Sequence, residues 1–194
     1  MSELLIWLLA TAVFQNVILT TGFGSSMLLR VLHKKSDVLK FGGILSFFLL
    51  ATVLIDYPVD RWLGLSTEAK MLRPVVMVVI AALLYAIVTI TLAQISVPFY
   101  KKIKPYVGPA AFNNLTIGLA MVANHKVDLT FLGTLGLALG TCLGFMLLGW
   151  LLLEGRSRVD TEAVPPAYRG VPLSFLFLGL TALALMGFSG VKLI

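Results

Sequence analysis

The chain has 194 residues, of which 59% are hydrophobic and 12% charged, and its formal net charge is +6. A soluble domain carries about 25% charged residues, so this composition excludes a water-soluble globule, a disordered chain and a secreted disulfide scaffold. The lone cysteine, Cys142, can form no disulfide within the chain and hold no metal by itself.

Uncharged runs divide the chain. The first, residues 4–29, is 26 residues long and holds Gln15, Asn16, Thr20, Thr21, Gly22, Gly24, Ser25 and Ser26. No basic stretch precedes Leu4 and no clear cleavage motif follows it, so a removed leader is not expected. The second run, 41–55, is 15 residues long and reaches spanning length if Lys40 snorkels and Tyr57 sits at the interface. The third covers 75–92. The fourth covers 105–124 and contains Pro105, Gly108, Pro109, Asn113, Asn114, Thr116 and Gly118. The fifth, 131–153, carries Gly136, Gly140 and Gly144 at helical spacing, which predicts close helix packing. The sixth covers 171–191. A spanning helix needs roughly 17 to 25 residues, so the expectation is an all-α integral membrane protein of six spans in a single membrane domain.

Lysine and arginine set the expected orientation. Ten of them follow spans 1, 3 and 5 (Arg30, Lys34, Lys35, Lys40, Lys101, Lys102, Lys104, Arg156, Arg158, Arg169), and five lie on the other side (Arg61, Lys70, Arg73, Lys126, Lys192). The positive-inside rule puts the first set in the cytoplasm and both termini outside. Trp62, Trp150, Tyr57, Tyr100 and Tyr106 fall near predicted span ends, as an aromatic belt would. Basic residues placed in this way write topology and give no reason to expect nucleic acid.

Phe14-Gln15-Asn16-Val17-Ile18-Leu19 and Phe112-Asn113-Asn114-Leu115-Thr116-Ile117 are 98 residues apart. Each half, about 1–97 and 98–194, holds three spans. An odd number makes the two copies antiparallel, the sequence form of an inverted repeat. Spans 1 and 4 are expected to be broken helices, since polar and glycine-rich backbone at membrane depth is tolerated only inside protein or against a cavity. Two readings stay open for the amides there. They can be glue between helices, or they can line a midplane polar site built from Asn16, Thr21, Gly24, Ser25, Asn113, Thr116 and Gly118.

Asp56 and Glu154 fall at span ends, and His33 and His125 fall in loops. The spans therefore offer no carboxylate relay. No nucleophile–base pair is visible, so no catalytic residue is assigned. Asp128, Asp160 and Glu162 read as solvated loop charges, and no metal site is assigned.

The run Val164-Pro165-Pro166-Ala167-Tyr168-Arg169-Gly170, followed by Ala184-Leu185-Met186-Gly187-Phe188-Ser189-Gly190, resembles one family of small membrane subunits. The family comprises the A-type subunits of the Rnf electron-transport complex and the D- and E-type subunits of the sodium-pumping NADH:quinone reductase (Nqr). Asn16-Val17-Ile18-Leu19, His33-Lys34-Lys35 and Asn113 to Gly118 extend the match over essentially the whole chain. The resemblance implies an integral component of an ion-translocating oxidoreductase in a bacterial-type cytoplasmic (inner) membrane, and not a catalyst alone. It implies a homologous six-span partner of opposite orientation, and flavin- and iron–sulfur-bearing subunits. It also implies a [2Fe-2S] cluster shared between the paired subunits, each giving two cysteines from its broken helices. Those cysteine positions are Ser26 and Asn114 here. Iron–sulfur clusters want thiolates, so this chain is expected to bind no such cluster alone. Alternatives are a transporter or channel that reuses the inverted scaffold with neutral oxygen-rich lining, and an assembly factor.

Overall fold

The computed structural model describes residues 2–31, 34–63, 71–125, 129–159 and 164–187. His33, Lys70, Lys126, Asp128, Asp160, Glu162, Lys192 and the terminal Phe188-Ser189-Gly190 lie outside the described residues. Every regular element among the described residues is helical. Helix α1 (Ser2–Leu9) continues into a π-helical turn at Ala10–Phe14. Two short helices follow, α2 (Val17–Thr21) and α3 (Ser25–Val31). Then come α4 (Lys35–Leu63), α5 (Arg73–Ile95), α6 (Val97–Ala111), α7 (Asn114–His125), α8 (Phe131–Val159) and α9 (Val171–Met186).

Local chemistry sets these boundaries. Pro74, Pro98 and Pro172 each stand in the first turn of a helix, where a missing N–H costs nothing. Ser96 is extended (φ −155°) and separates α5 from α6. Gly22 takes φ 75° and closes α2, donating its N–H to the Ile18 carbonyl, a backbone shape that glycine adopts without a Cβ penalty. The lysines expected in the loop after span 3 instead lie within α6, and Arg156 and Arg158 lie in the last turn of α8.

Helix α8 is the axis of the bundle. Its glycines meet α1 in parallel order. A Cβ at Gly136 would strike Leu4 O, one at Gly140 would strike Leu8 O, and one at Gly144 would meet Ala12 O. Helix α4 runs antiparallel to α8: Lys35 pairs with Glu154 at 3.0 Å, Phe41 stacks near Phe145 at 5.7 Å, and Tyr57 meets Phe131 at 5.2 Å. The 24 residues from Phe131 to Glu154 rise about 34 Å at 1.5 Å per step, close to the ~30 Å hydrocarbon core of a bilayer. Phe41, Phe48, Phe145, Leu28, Leu49, Leu115 and Leu137 fill the centre.

Among the described residues, three helices are long and apolar enough to cross a membrane: 35–59, 73–95 and 131–159. Shorter apolar helices cover 2–14 and 171–185. Helix α5 turns Val75, Val79, Leu83, Ile87 and Ile90 outward, and α9 turns out Phe175, Leu176, Leu180 and Leu183. Such a girdle would be insoluble in water and is at ease in lipid.

Candidate functional site: the two helix breaks

The first break opens at Gln15-Asn16. Gln15 N closes the π turn on Ala10 O at 2.6 Å. Asn16 then caps α2: its Oδ1 accepts from Ile18 N at 3.0 Å, and its Nδ2 donates to Ala12 O at 3.1 Å. The side chain is buried against Gly144, midway along α8. A larger residue at 144 would occupy the space of the Asn16 amide. Glycine is thus needed there for a close approach.

The chain leaves helix again at 22–24. Gly24 takes φ 80°, and a Cβ on it would lie 3.3 Å from Leu115 and 3.6 Å from the Phe145 ring. Leu115 belongs to the other break. There the helix stops at Ala111 and restarts at Asn114. Asn113 caps the restart, its Oδ1 accepting from Leu115 N at 2.9 Å. Thr116 Oγ1 reaches back across the break to donate to Ala110 O at 2.9 Å, satisfying a carbonyl that the end of α6 leaves open. Phe23 packs over Gly118, where any side chain would collide with its ring. The two breaks therefore meet inside the bundle, Gly24 on Leu115 and Phe23 on Gly118.

The two capping asparagines are Asn16 and Asn113, 97 residues apart, so the structure equates them where the hexapeptide match paired Asn16 with Asn114. The caps differ in one respect. Both polar atoms of Asn16 are bonded, whereas Asn113 Nδ2 is buried without a hydrogen-bond partner. An unsatisfied buried donor of this kind costs about 1–3 kcal/mol.

The expected midplane residues divide by position. Asn16, Gly24, Asn113, Thr116 and Gly118 are buried, Ser25 is half-buried, and Thr21 is exposed. Their hydroxyls are spent on nearby carbonyls: Thr21 Oγ1 donates to Val17 O at 2.6 Å and Ser25 Oγ to Gly22 O at 2.7 Å. Such bonds satisfy backbone freed by the breaks. Ser26 and Asn114 are both exposed on the outside of the bundle, each in the first turn of its half-helix. Cys142 is buried in α8. A cleft of about 220 Å³ lies beside the first break, lined by Val13, Phe14, Asn16, Leu19, Thr20, Ala182 and Leu185.

Asp56 is a residue whose position the sequence understated. It reads as a span-end charge but is buried within α4, one turn beyond buried Thr52. The sequence carried no signal for this, since Pro58 reads as a helix end; α4 nevertheless runs on through it to Leu63 and carries Asp56 inside.

Residues 4–192 match the family described as "Rnf-Nqr subunit, membrane protein", and the chain belongs to that family. It is 28% identical over 190 residues to the A component of the Na(+)-translocating ferredoxin:NAD(+) oxidoreductase complex of Acetobacterium woodii, covering 97% of this chain and 98% of that one. It is 27% identical over 190 residues to the A component of the ion-translocating oxidoreductase complex of Azoarcus sp., covering 98% of each. The counterpart from Glaesserella parasuis is 25% identical over 190 residues, again covering 98% of each.

Proposed function

We propose that this chain is the A-type membrane component of an Rnf/Nqr-like, ion-translocating oxidoreductase, and that it holds no [2Fe-2S] cluster of its own. The observation that carries the first part is the end-to-end match to A-type relatives, with nearly complete coverage on both sides. The chemistry of the donor set carries the second. A serine hydroxyl at 26 and a neutral amide at 114 are poor partners for iron–sulfur clusters, which use thiolates. The one thiol, Cys142, is buried in α8, a helix other than the two that carry positions 26 and 114.

Six spans in two inverted halves, about 1–97 and 98–194, fit the packing: α1 runs parallel to α8, and α4 runs against it. Both termini lie outside a bacterial-type inner membrane on the distribution of Lys and Arg. The partner is a homologous six-span subunit of opposite orientation, and flavin- and iron–sulfur-bearing subunits complete the complex. Exposure of Ser26 and Asn114 supports this pairing, because a homologue docking over the two half-helix starts would cover them.

The test compares iron content and dithionite-reduced EPR of the mildly solubilised complex, with and without Ser26→Cys plus Asn114→Cys. The double variant is expected to gain about two iron atoms per complex and a [2Fe-2S] signal. An unchanged iron content in a stably assembled double variant would overturn the assignment of the two positions. Stoichiometric cluster iron on the unaltered chain, freed of partners, would overturn the no-cluster reading.

A further inference from the structure

One concavity among the described residues is lined by none of the residues at the two breaks. It is a groove of about 470 Å³ between α4, α5 and α6, walled by Ile44 and Phe48, by Val88 and Leu92, and by Ile103 and Val107. Its volume is that of a ligand pocket, roughly 300–1,000 Å³. Its walls are almost wholly hydrocarbon, so a polar solute would lose its hydration there and recover little.

One end of the groove is basic. Lys40 stands four residues before Ile44 and eight before Phe48, in the same row along α4. Lys104 stands three residues before Val107 on α6, its Nζ 5.8 Å from the Tyr100 ring. Lys101 and Lys102 flank Ile103. All four lysines are exposed. Asp37, a turn before Lys40, takes the Lys34 N–H at 3.2 Å and is the acidic residue of that stretch.

An apolar slot under a cluster of lysines matches one class of amphiphile. The geometry points to an anionic phospholipid, with one acyl chain in the groove and its phosphate among Lys40, Lys101, Lys102 and Lys104. A neutral isoprenoid would use the slot but not the lysines. A soluble anion would use the lysines but not the slot. Gly43 gives direct access to the slot, since it lines the groove and a Cβ there meets nothing within 4 Å.

The test is native mass spectrometry of the mildly solubilised complex offered equal dioleoyl-phosphatidylglycerol and dioleoyl-phosphatidylcholine. The unaltered complex is expected to favour phosphatidylglycerol. Each Lys→Gln change at 40, 101 or 104 is expected to weaken that preference about fivefold, the worth of one basic residue at an anionic membrane surface. Gly43→Phe is expected to leave the complex assembled with one bound phosphatidylglycerol fewer. Equal retention of the two lipids, an undiminished lipid count in Gly43→Phe, or photo-crosslinking from position 43 to a quinone or a polypeptide would overturn the proposal. None of these readouts depends on electron transfer, so the result is separate from the redox assignment.

Discussion

Gly140→Ala adds a single methyl at the tightest point between α8 and α1. The methyl would fall on Thr11 Oγ1 and on Leu8 O. Thr11 could rotate, but only by giving up its bonds to Trp7 O (2.8 Å) and Leu137 O (3.3 Å). Leu8 O is backbone and moves only with its helix. Overpacking of this kind costs about 1–3 kcal/mol, and an interhelical hydrogen bond in a membrane protein adds about 0.6 kcal/mol. The better helix propensity of alanine returns up to about 1 kcal/mol, leaving a net loss of about 2 kcal/mol. In a chain of this size that lowers Tm by about 4–8 °C. Gly43→Ala is the matched control, because its methyl enters open space and keeps the propensity gain. The assay uses Cys142, the lone cysteine, buried two residues from Gly140. A thiol-reactive fluorophore would label it only as the bundle opens on heating. A Gly140→Ala protein melting at or above the unaltered one, or a Gly43→Ala protein falling equally far, would refute the reading of the glycine stripe as a close-packing surface.

Asn16→Ala removes two side-chain hydrogen bonds, so a loss of about 2 kcal/mol is expected in the same melting assay; Asn113→Ala removes one bond but also a buried donor that has no partner, so its loss is expected to be smaller, between about 0 and 1 kcal/mol. Glu154→Gln breaks ion pairs to Lys35 and Arg158 that are largely exposed, and the expected change in Tm is small and vanishes in high salt. Topology is read with a membrane-impermeant maleimide on intact cells, to which buried Cys142 is silent. Trp62→Cys is expected to label directly, and Lys102→Cys and Arg158→Cys only after permeabilisation. The reverse pattern would invert the proposed orientation.

The breaks were legible because polar residues in an apolar run have few physical excuses. Asn16 and Asn113 stood out by type, and both prove to cap a restarting helix. Their equivalence to each other was not legible. The hexapeptide match aligned Phe14 with Phe112 by identity, whereas the cap depends on which amide reaches the N–H two residues on. The glycine spacing 136/140/144 predicted close packing, but not that the partner would be α1 running parallel. The lysines of 101–104 read as loop because charge interrupts an apolar run. A helix started by Pro98 tolerates them on its exposed side. Nothing in the sequence foretold the groove, which needs the spacing of three helices at once.

The features that hold the breaks open are distinct from Ser26 and Asn114, the two positions proposed to correspond to the family's thiols. The breaks rest on two asparagine caps, two glycines at positive φ, and the Thr116 bond to Ala110 O. Ser26 and Asn114 sit one step aside, exposed at the start of each half-helix. A ligand can therefore be absent at those positions without the scaffold noticing. Ser26→Ala and Asn114→Ala are expected to leave Tm within the range of ordinary surface substitutions, about ±0.5 kcal/mol, in the chain freed of partners. In the assembled complex the same changes face the proposed partner, so a stability loss confined to the complex would map these two positions onto the interface. A large loss in the free chain would mean that the two residues help to build the breaks, and the separation of scaffold from ligand positions would fail.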